Sequence, residues 1–399
     1  MLKKFSQILL LIFVSTSFYS CGKPWVAKIN GEKLSLEEFN NYYYANSIFV
    51  LKKDSREEID ALSTKPEEVQ KYPYLSKQKF LEQIIRQRLV SEAIDEEGYL
   101  KDDIDYDAFV YFQHLTIVVN RFSELKFEGK IDVTMEDIDK EFQSNRALYE
   151  QAPLDQAERY IRQKIQYEKL QALSEEVLSE IKGRHKIERD EELVKKAIEK
   201  DPAKRPTEGV LLTIDGEEAL TVPFFNALYY VQHTSNYDLK NEEVDKLAQS
   251  EEYVKQNPML DRKLFFEQLV QMILFYDEAL NGEEFKMKED KHLEYMLKIQ
   301  EDIMKVGYYI RKKYRDELNP TDDEINKAYN QNKERFEGVP LDQAAMYIKQ
   351  QILSQRLQAK GNEIVQNAKE RSIIEYNMKA LLEENKDKED KPSESPKED

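Results

Sequence analysis

The chain has 399 residues, 40% hydrophobic and 35% charged, with a formal net charge of −18. That length accommodates two or three domains with real cores, and the acidic balance argues against nucleic acid as a partner, because phosphate binding needs basic surface. With only 11 glycines against 24 tyrosines and 18 phenylalanines, a sheet-and-turn architecture and glycine-rich phosphate loops are disfavoured, and a helix-rich body is expected.

The N-terminus reads as an export signal. Lys3 and Lys4 precede an apolar run at residues 8–14 that is too short to span a bilayer. Small polar residues then lead to Cys21, the only cysteine. Residues 1–20 resemble a bacterial lipoprotein signal peptide with Cys21 as the lipidated residue, although Phe18 and Tyr19 are bulkier than that pattern. An ordinary signal peptide with an incidental cysteine is the alternative. Acylation would anchor the chain firmly to a membrane leaflet.

Ile29-Asn30-Gly31-Glu32 is a two-residue hairpin signal, since both turn positions need positive φ. Ser35 and Glu38 form a capping box that opens a helix through Phe39, Tyr42, Tyr43 and Tyr44. A polar stretch at 51–71 leads to a helix with one apolar face: Phe80, Leu81, Ile84, Ile85, Leu89 and Ile94. Another helix covers roughly 106–125. Thr134 to Ile138 opens a turn into a short helix, and a long glutamine-rich helix runs from Pro153 to about residue 181. A β-prone tail, Lys186-Ile187-Glu188, follows.

The same series then returns. Ile214-Asp215-Gly216-Glu217 repeats the hairpin at an offset of 185, and Thr221 and Pro223 open a helix with Phe224 in the place of Phe39. Phe265, Phe266, Leu269 and Ile273 repeat the apolar face. Thr321 to Ile325 repeats the turn, and Pro340-Leu341-Asp342-Gln343-Ala344 repeats Pro153-Leu154-Asp155-Gln156-Ala157 at an offset of 187. Ile373-Ile374-Glu375 closes the series. A register held this closely over such a span points to a tandem duplication. The expected organisation is a signal peptide (1–20), a first module (21–198), a linker (199–208) carrying Pro202 and Pro206, a second module (209–382) and a charged tail (383–399) too polar to order itself. The fold class is mainly α: two tandem helical modules, each with a small sheet from its hairpin and terminal strand.

This ordered set, present twice, resembles the core of the SurA and PrsA class of extracytoplasmic chaperones. The family's parvulin-type prolyl isomerase insert has no room here, because only a few residues separate Tyr149 from Pro153 and Phe336 from Pro340 and a folded domain needs about 50. The resemblance therefore implies client binding without isomerase activity. It also implies that hairpin and terminal strand of a module pair with each other.

Nothing in the sequence points to catalysis. His114, His185, His233 and His292 lie at no metal-ligand spacing. Neither a nucleophile elbow nor a phosphate loop is present, and the acidic pairs Asp102-Asp103 and Asp322-Asp323 stand at helix starts, where negative charge is favourable. No cofactor or metal is expected. The aromatic runs are the candidates for client contact: Phe39, Tyr43, Tyr44, Phe109, Phe112, Phe224, Tyr229, Tyr230, Phe266, Tyr276 and Tyr308. Neighbours in a helix point about 100° apart, so one ring of a run can fill the core while the next faces outward. The reading that follows is an ATP-independent holdase, lipid-anchored in the cell envelope on the periplasmic side of the inner or outer membrane. It would bind unfolded or nascent envelope proteins and no nucleic acid. The alternatives are a structural or adhesive lipoprotein with one specific partner and a residual peptidyl-prolyl isomerase.

Overall fold

The structure, a computed structural model, describes residues 24–381 apart from 54, 150–153, 238 and 337. Cys21, the expected signal peptide and the charged tail lie outside the described residues. In chain order the elements are β1 (Trp25–Ile29), β2 (Glu32–Ser35), α1 (Leu36–Leu51), α2 (Arg56–Ser63), α3 (Pro66–Lys71), α4 (Lys77–Glu97), α5 (Ile104–Phe127), α6 (Met135–Ser144), α7 (Arg146–Tyr149) and α8 (Leu154–Arg184). There follow β3 (Ile187–Arg189), α9 (Glu191–Ala197), β4 (Val210–Ile214), β5 (Glu217–Thr221), α10 (Val222–Tyr237), α11 (Asn241–Gln249), α12 (Glu251–Gln256) and α13 (Arg262–Asn281). The last elements are α14 (Lys291–Lys313), α15 (Arg315–Leu318), α16 (Asp322–Gln331), α17 (Leu341–Arg371) and β6 (Ile374–Tyr376). The protein is thus mainly helical with two small antiparallel sheets, ordered β2-β1-β6 and β3-β4-β5. Among the described residues, no helix is long and apolar enough to cross a membrane.

Both hairpins form at the turns read from the sequence. Asn30 and Gly31 have φ of 52° and 90°, and Asp215 and Gly216 have 53° and 82°, the left-handed values that such turns require. Ser35 caps α1 by accepting from the Glu38 amide.

The compact units cut across the expected module boundaries. One unit is residues 107–289; the other joins 24–106 to 290–381. The strand pairing shows why. The β4-β5 hairpin takes β3 as its third strand (Ile187↔Ile214, Arg189↔Leu212); β3 and β4 are consecutive strands joined through residues 190–209, and consecutive strands usually lie side by side. The open edge of β1 is covered instead by β6 (Ala27↔Tyr376, Ile29↔Ile374), with the Lys28 ammonium 2.7 Å from the Glu375 carboxylate. Each hairpin therefore pairs with the terminal strand of the other half, not with its own.

In the 24–106/290–381 unit, α1 is buried from Tyr42 to Ser47, and Val26, Phe39, Tyr43, Phe80 and Ile84 share one core with Ile299 and Leu381. The Tyr43 hydroxyl donates to the Leu75 carbonyl (2.9 Å) and the Tyr44 hydroxyl to Asp60 (2.8 Å). In the 107–289 unit, the Tyr229 hydroxyl donates to the Leu260 carbonyl and the Tyr230 hydroxyl to Asp245, each at 2.8 Å. The geometry makes Phe225 the counterpart of Phe39: the Phe39–Phe80 and Phe225–Phe265 centroids are both 6.0 Å apart. The expected match to Phe224 is one residue short, because β5 is one residue longer than β2.

The segment 199–208, expected as a linker, is fastened down. It forms a turn at Pro202–Lys204. The Arg205 side chain, only 5% exposed, donates to the Glu199 and Lys200 carbonyls, to the Tyr230 hydroxyl and to Asp245.

Candidate functional site

Seven of the eleven candidate rings are core. Phe39, Tyr43, Tyr44, Phe224, Tyr229, Phe266 and Tyr276 are all buried, while Phe109, Phe112, Tyr230 and Tyr308 are half-buried. The aromatic runs therefore present little ring surface in this conformation. Phe266 lies under the Arg189 guanidinium (5.2 Å), Tyr276 against Tyr111 (5.8 Å), and Tyr308 against Tyr106 (5.4 Å). Burial pushes the Tyr276 phenol up to about 12 and raises that of Tyr229 as well. Arg262, 3% exposed, stands over Tyr229 at 4.3 Å and Phe225 at 4.9 Å. Burial first, and the charge of Arg205 second, bring its guanidinium down to about 10. These are packing positions.

Some exposed apolar side chains are scattered, among them Phe49, Val50, Tyr253 and Ile373, and two sets of them are gathered, one on a helical arm in each unit. In the 107–289 unit the arm is α6, α7 and α8. Thr134 and Asp137 form a reciprocal capping box (3.1 and 3.2 Å). Lys169 then ties Asp137 (2.8 Å) and the Asp132 carbonyl (2.6 Å) to α8, and this ammonium, with the Thr134 amide, holds the Asp137 carboxyl below its usual range. The arm's own core is small: Val133, Ile138, Tyr149, Ala157, Ile161 and Ile165. Phe142 stacks on Tyr149 at 6.1 Å, and Tyr149 meets Tyr160 at 6.0 Å. Outside that core, Met135 (56%), Leu148 (73%), Tyr160 (60%), Tyr167 (68%) and Leu170 (37%) are exposed. Tyr160 and Tyr167 are two turns apart and share one face of α8.

The arm of the other unit is α16 and α17. Thr321 and Glu324 form its capping box (3.3 and 2.8 Å). Arg356 ties Glu324 and the Asn319 carbonyl (3.1 Å) to α17. The Thr321 amide, then Arg356, holds the Glu324 carboxyl below its usual range. Tyr329 stacks on Phe336 at 5.7 Å, and Phe336 meets Tyr347 at 6.1 Å. Ala344 and Ile348 are buried, whereas Leu341, Met346 and Tyr347 are exposed. Capping box, basic tie and three-ring series thus recur at an offset of 187.

The sequence reading passed over these exposed side chains because they do not occur in runs. Their signal is a lone ring beside a buried stripe. Tyr160 adjoins Ile161, and Tyr347 adjoins Ile348, within otherwise polar helices. Among the described residues no group of three or more His, Cys, Asp or Glu is arranged to hold a metal ion. Comparison with protein-family models, with curated proteins and with solved structures finds no match to this chain.

Proposed function

We propose that the chain is a duplicated SurA/PrsA-like chaperone core without the isomerase insert, tethered through Cys21 in the cell envelope, and that it works as an ATP-independent holdase whose client surface is the two arms. The observation that carries this reading is the exposure of Met135, Leu148, Tyr160, Tyr167 and Leu170 on one arm and of Leu341, Met346 and Tyr347 on the other. Each set stands on a scaffold with the same cap, tie and ring series. Tyrosine offers a large amphipathic face at low entropic cost, which suits weak and sequence-tolerant contact. Two such surfaces on one chain raise the effective concentration of the second once the first is engaged. The net charge of −18 keeps copies of the protein apart while they hold apolar clients.

The duplication is supported by contacts as well as by sequence. The Tyr43–Leu75 bond has its counterpart in Tyr229–Leu260, and the Lys169–Asp137 tie in Arg356–Glu324.

The test is light scattering from an aggregating envelope protein, with the chain from Gly22 added at equimolar amounts. Suppression is expected. The triple variant Leu148→Ser, Tyr167→Ser, Met346→Ser, at strongly exposed positions outside the ring series, should lose it while melting at an unchanged temperature, since one such contact contributes about 1 kcal/mol, roughly fivefold in affinity. No suppression by the unaltered chain would refute the holdase. Full suppression by the triple variant would refute the arms as its surface.

A further inference from the structure

An edge strand offers unpaired N–H and C=O groups to any chain that meets it, and charged side chains are one means of guarding such an edge. Among the described residues the two sheets have four edge strands: β2 and β6 in one, β3 and β5 in the other. Three of these carry charge. β2 bears Glu32 and Lys33, and β5 bears Glu217 and Glu218. β3 is preceded by Lys186, whose ammonium lies 2.9 Å from Glu188, and ends on Arg189, 2.6 Å from the Glu267 carboxylate. At the offset of 187, β6 has Ile373 in the place of Lys186 and Tyr376 in the place of Arg189. Those two side chains are 72% and 49% exposed.

The ladder fixes which backbone groups of β6 are available. The Asn30 amide donates to the Ile373 carbonyl (2.9 Å), the Asn377 amide donates to the Val26 carbonyl (2.8 Å), and Lys28 stands opposite Glu375. Residues 373, 375 and 377 thus turn their backbone groups toward β1. By the alternation of an antiparallel ladder, the N–H and C=O of Ile374 and Tyr376 turn away from it. Ile374 packs against the core that holds Val26 and Phe39, which keeps the strand in place. The charge beside the edge also differs between the two heads. β3 supplies Arg189 to Glu267, whereas β6 presents the uncharged Tyr376 to Glu82, the counterpart of Glu267 at an offset of 185. Burial first, and the Glu82 carboxylate second, raise the Tyr376 phenol above its ordinary value. The strand therefore leaves an acid at its edge without the cation that the other head provides.

We propose that β6 accepts an added strand from another polypeptide, an extended segment whose apolar side chains meet Ile373 and Tyr376 and whose lysine or arginine meets Glu82. In strand addition the backbone bonds supply affinity and alternate side chains supply preference. The mode selects non-native or unstructured segments, because a folded partner has already paired its backbone groups. A second copy of this chain fits less well. Pairing β6 with itself would set Glu375 and Glu82 toward their own images, on molecules that each carry a charge of −18. The edge is separate from the exposed arms, and strand addition stands or falls independently of them.

The probe is an end-blocked fluorescent peptide of alternating valine and serine with one central lysine, read by anisotropy against the chain from Gly22. Methylating the amide nitrogen of each central residue keeps the side chains and the charge but removes both pairing edges, and should weaken binding at least about tenfold. Glutamate in place of the lysine should weaken it about fivefold, and Glu82→Gln should remove most of that difference. Ile373→Lys with Tyr376→Arg copies the guarded edge of β3 and should weaken the lysine peptide at least about tenfold, with no fall in melting temperature. Hydrogen exchange locates the contact. The Ile374 and Tyr376 amides should exchange at least about tenfold more slowly with the peptide bound, in the unaltered chain and in the arm variant Leu148→Ser, Tyr167→Ser, Met346→Ser alike. Equal binding of the methylated peptide, full binding by the Ile373→Lys, Tyr376→Arg chain, or unchanged exchange at the two amides would overturn the proposal. A dimer of the unaltered chain that this double variant dissolves would overturn it as well, and would assign the edge to a second copy.

Discussion

The strand pairing makes a prediction about which pieces of the chain fold alone. A fragment 104–289 holds a complete unit with all of α5, whereas 24–198, the module suggested by the sequence, separates the β1-β2 head from its partners. The loss can be worked from the contacts. Ile299 and Leu381, 1% and 3% exposed, contribute about 1.5–3 kcal/mol each by burial. The edge-on contact of Tyr295 with Tyr42, 4.8 Å between centroids, adds about 0.5–1.5 kcal/mol. Three sheet-closing bonds, from the Asn30 amide to the Ile373 carbonyl, the Asn377 amide to Val26 and the Asn377 side chain to Trp25 (2.8–2.9 Å), contribute about 1 kcal/mol each. The sum of about 6–10 kcal/mol is comparable to the whole stability of a domain, about 5–15 kcal/mol. Circular dichroism melts of the purified fragments are the assay. The 104–289 fragment should give one cooperative transition, and 24–198 should give none. A monomeric 24–198 that melts cooperatively, beside a 104–289 that does not, would refute the reasoning.

Three further outcomes follow from buried polar groups. Arg262→Ala should destabilise the 107–289 unit by about 3–5 kcal/mol, because it leaves Ala197 and Asn226 unpaired next to a cavity; Arg262→Lys should cost roughly half of that, read as urea midpoints. Burial raises the Asp302 carboxyl above its ordinary value, so its ionised form weakens the fold at neutral pH. Asp302→Asn should raise the urea midpoint at pH 7, and the gain should vanish below about pH 4, where the carboxyl is protonated in both folded and unfolded chains. Burial also lowers the His233 imidazole, whose nitrogen faces the Met259 carbonyl at 3.1 Å. The folded state favours the neutral ring, and this stabilisation is present above about pH 6.5 and lost as the pH falls below it. His233→Phe should flatten that part of the stability profile between pH 7.5 and 5.

What the sequence revealed was local. Asn30-Gly31 and Asp215-Gly216 declare their turns because few other residues accept positive φ, and Thr134 and Thr321 declare helix starts through the acid three residues on. Partner choice is not local. β3 and β6 are three residues each, Ile-Glu-Arg and Ile-Glu-Tyr, and nothing in such short strands says which hairpin they will meet; chain connection and the packing of long helices decide it. The one-residue lengthening of β5 was equally hidden, yet it turns the following helix by about 100° and puts Phe225 where Phe224 was expected. The aromatic runs misled for a related reason. A run has an outward ring only if its helix has an outward face, and from Tyr42 to Ser47 every residue of α1 is buried. In the arms the balance is reversed. Ala157, Ile161 and Ile165 form a single stripe that a thin core can cover, and rings displaced from it, Tyr160 and Tyr167, stay in water. In this chain, then, clustered rings mark the packed heads, and a solitary ring in an arm helix marks exposed surface.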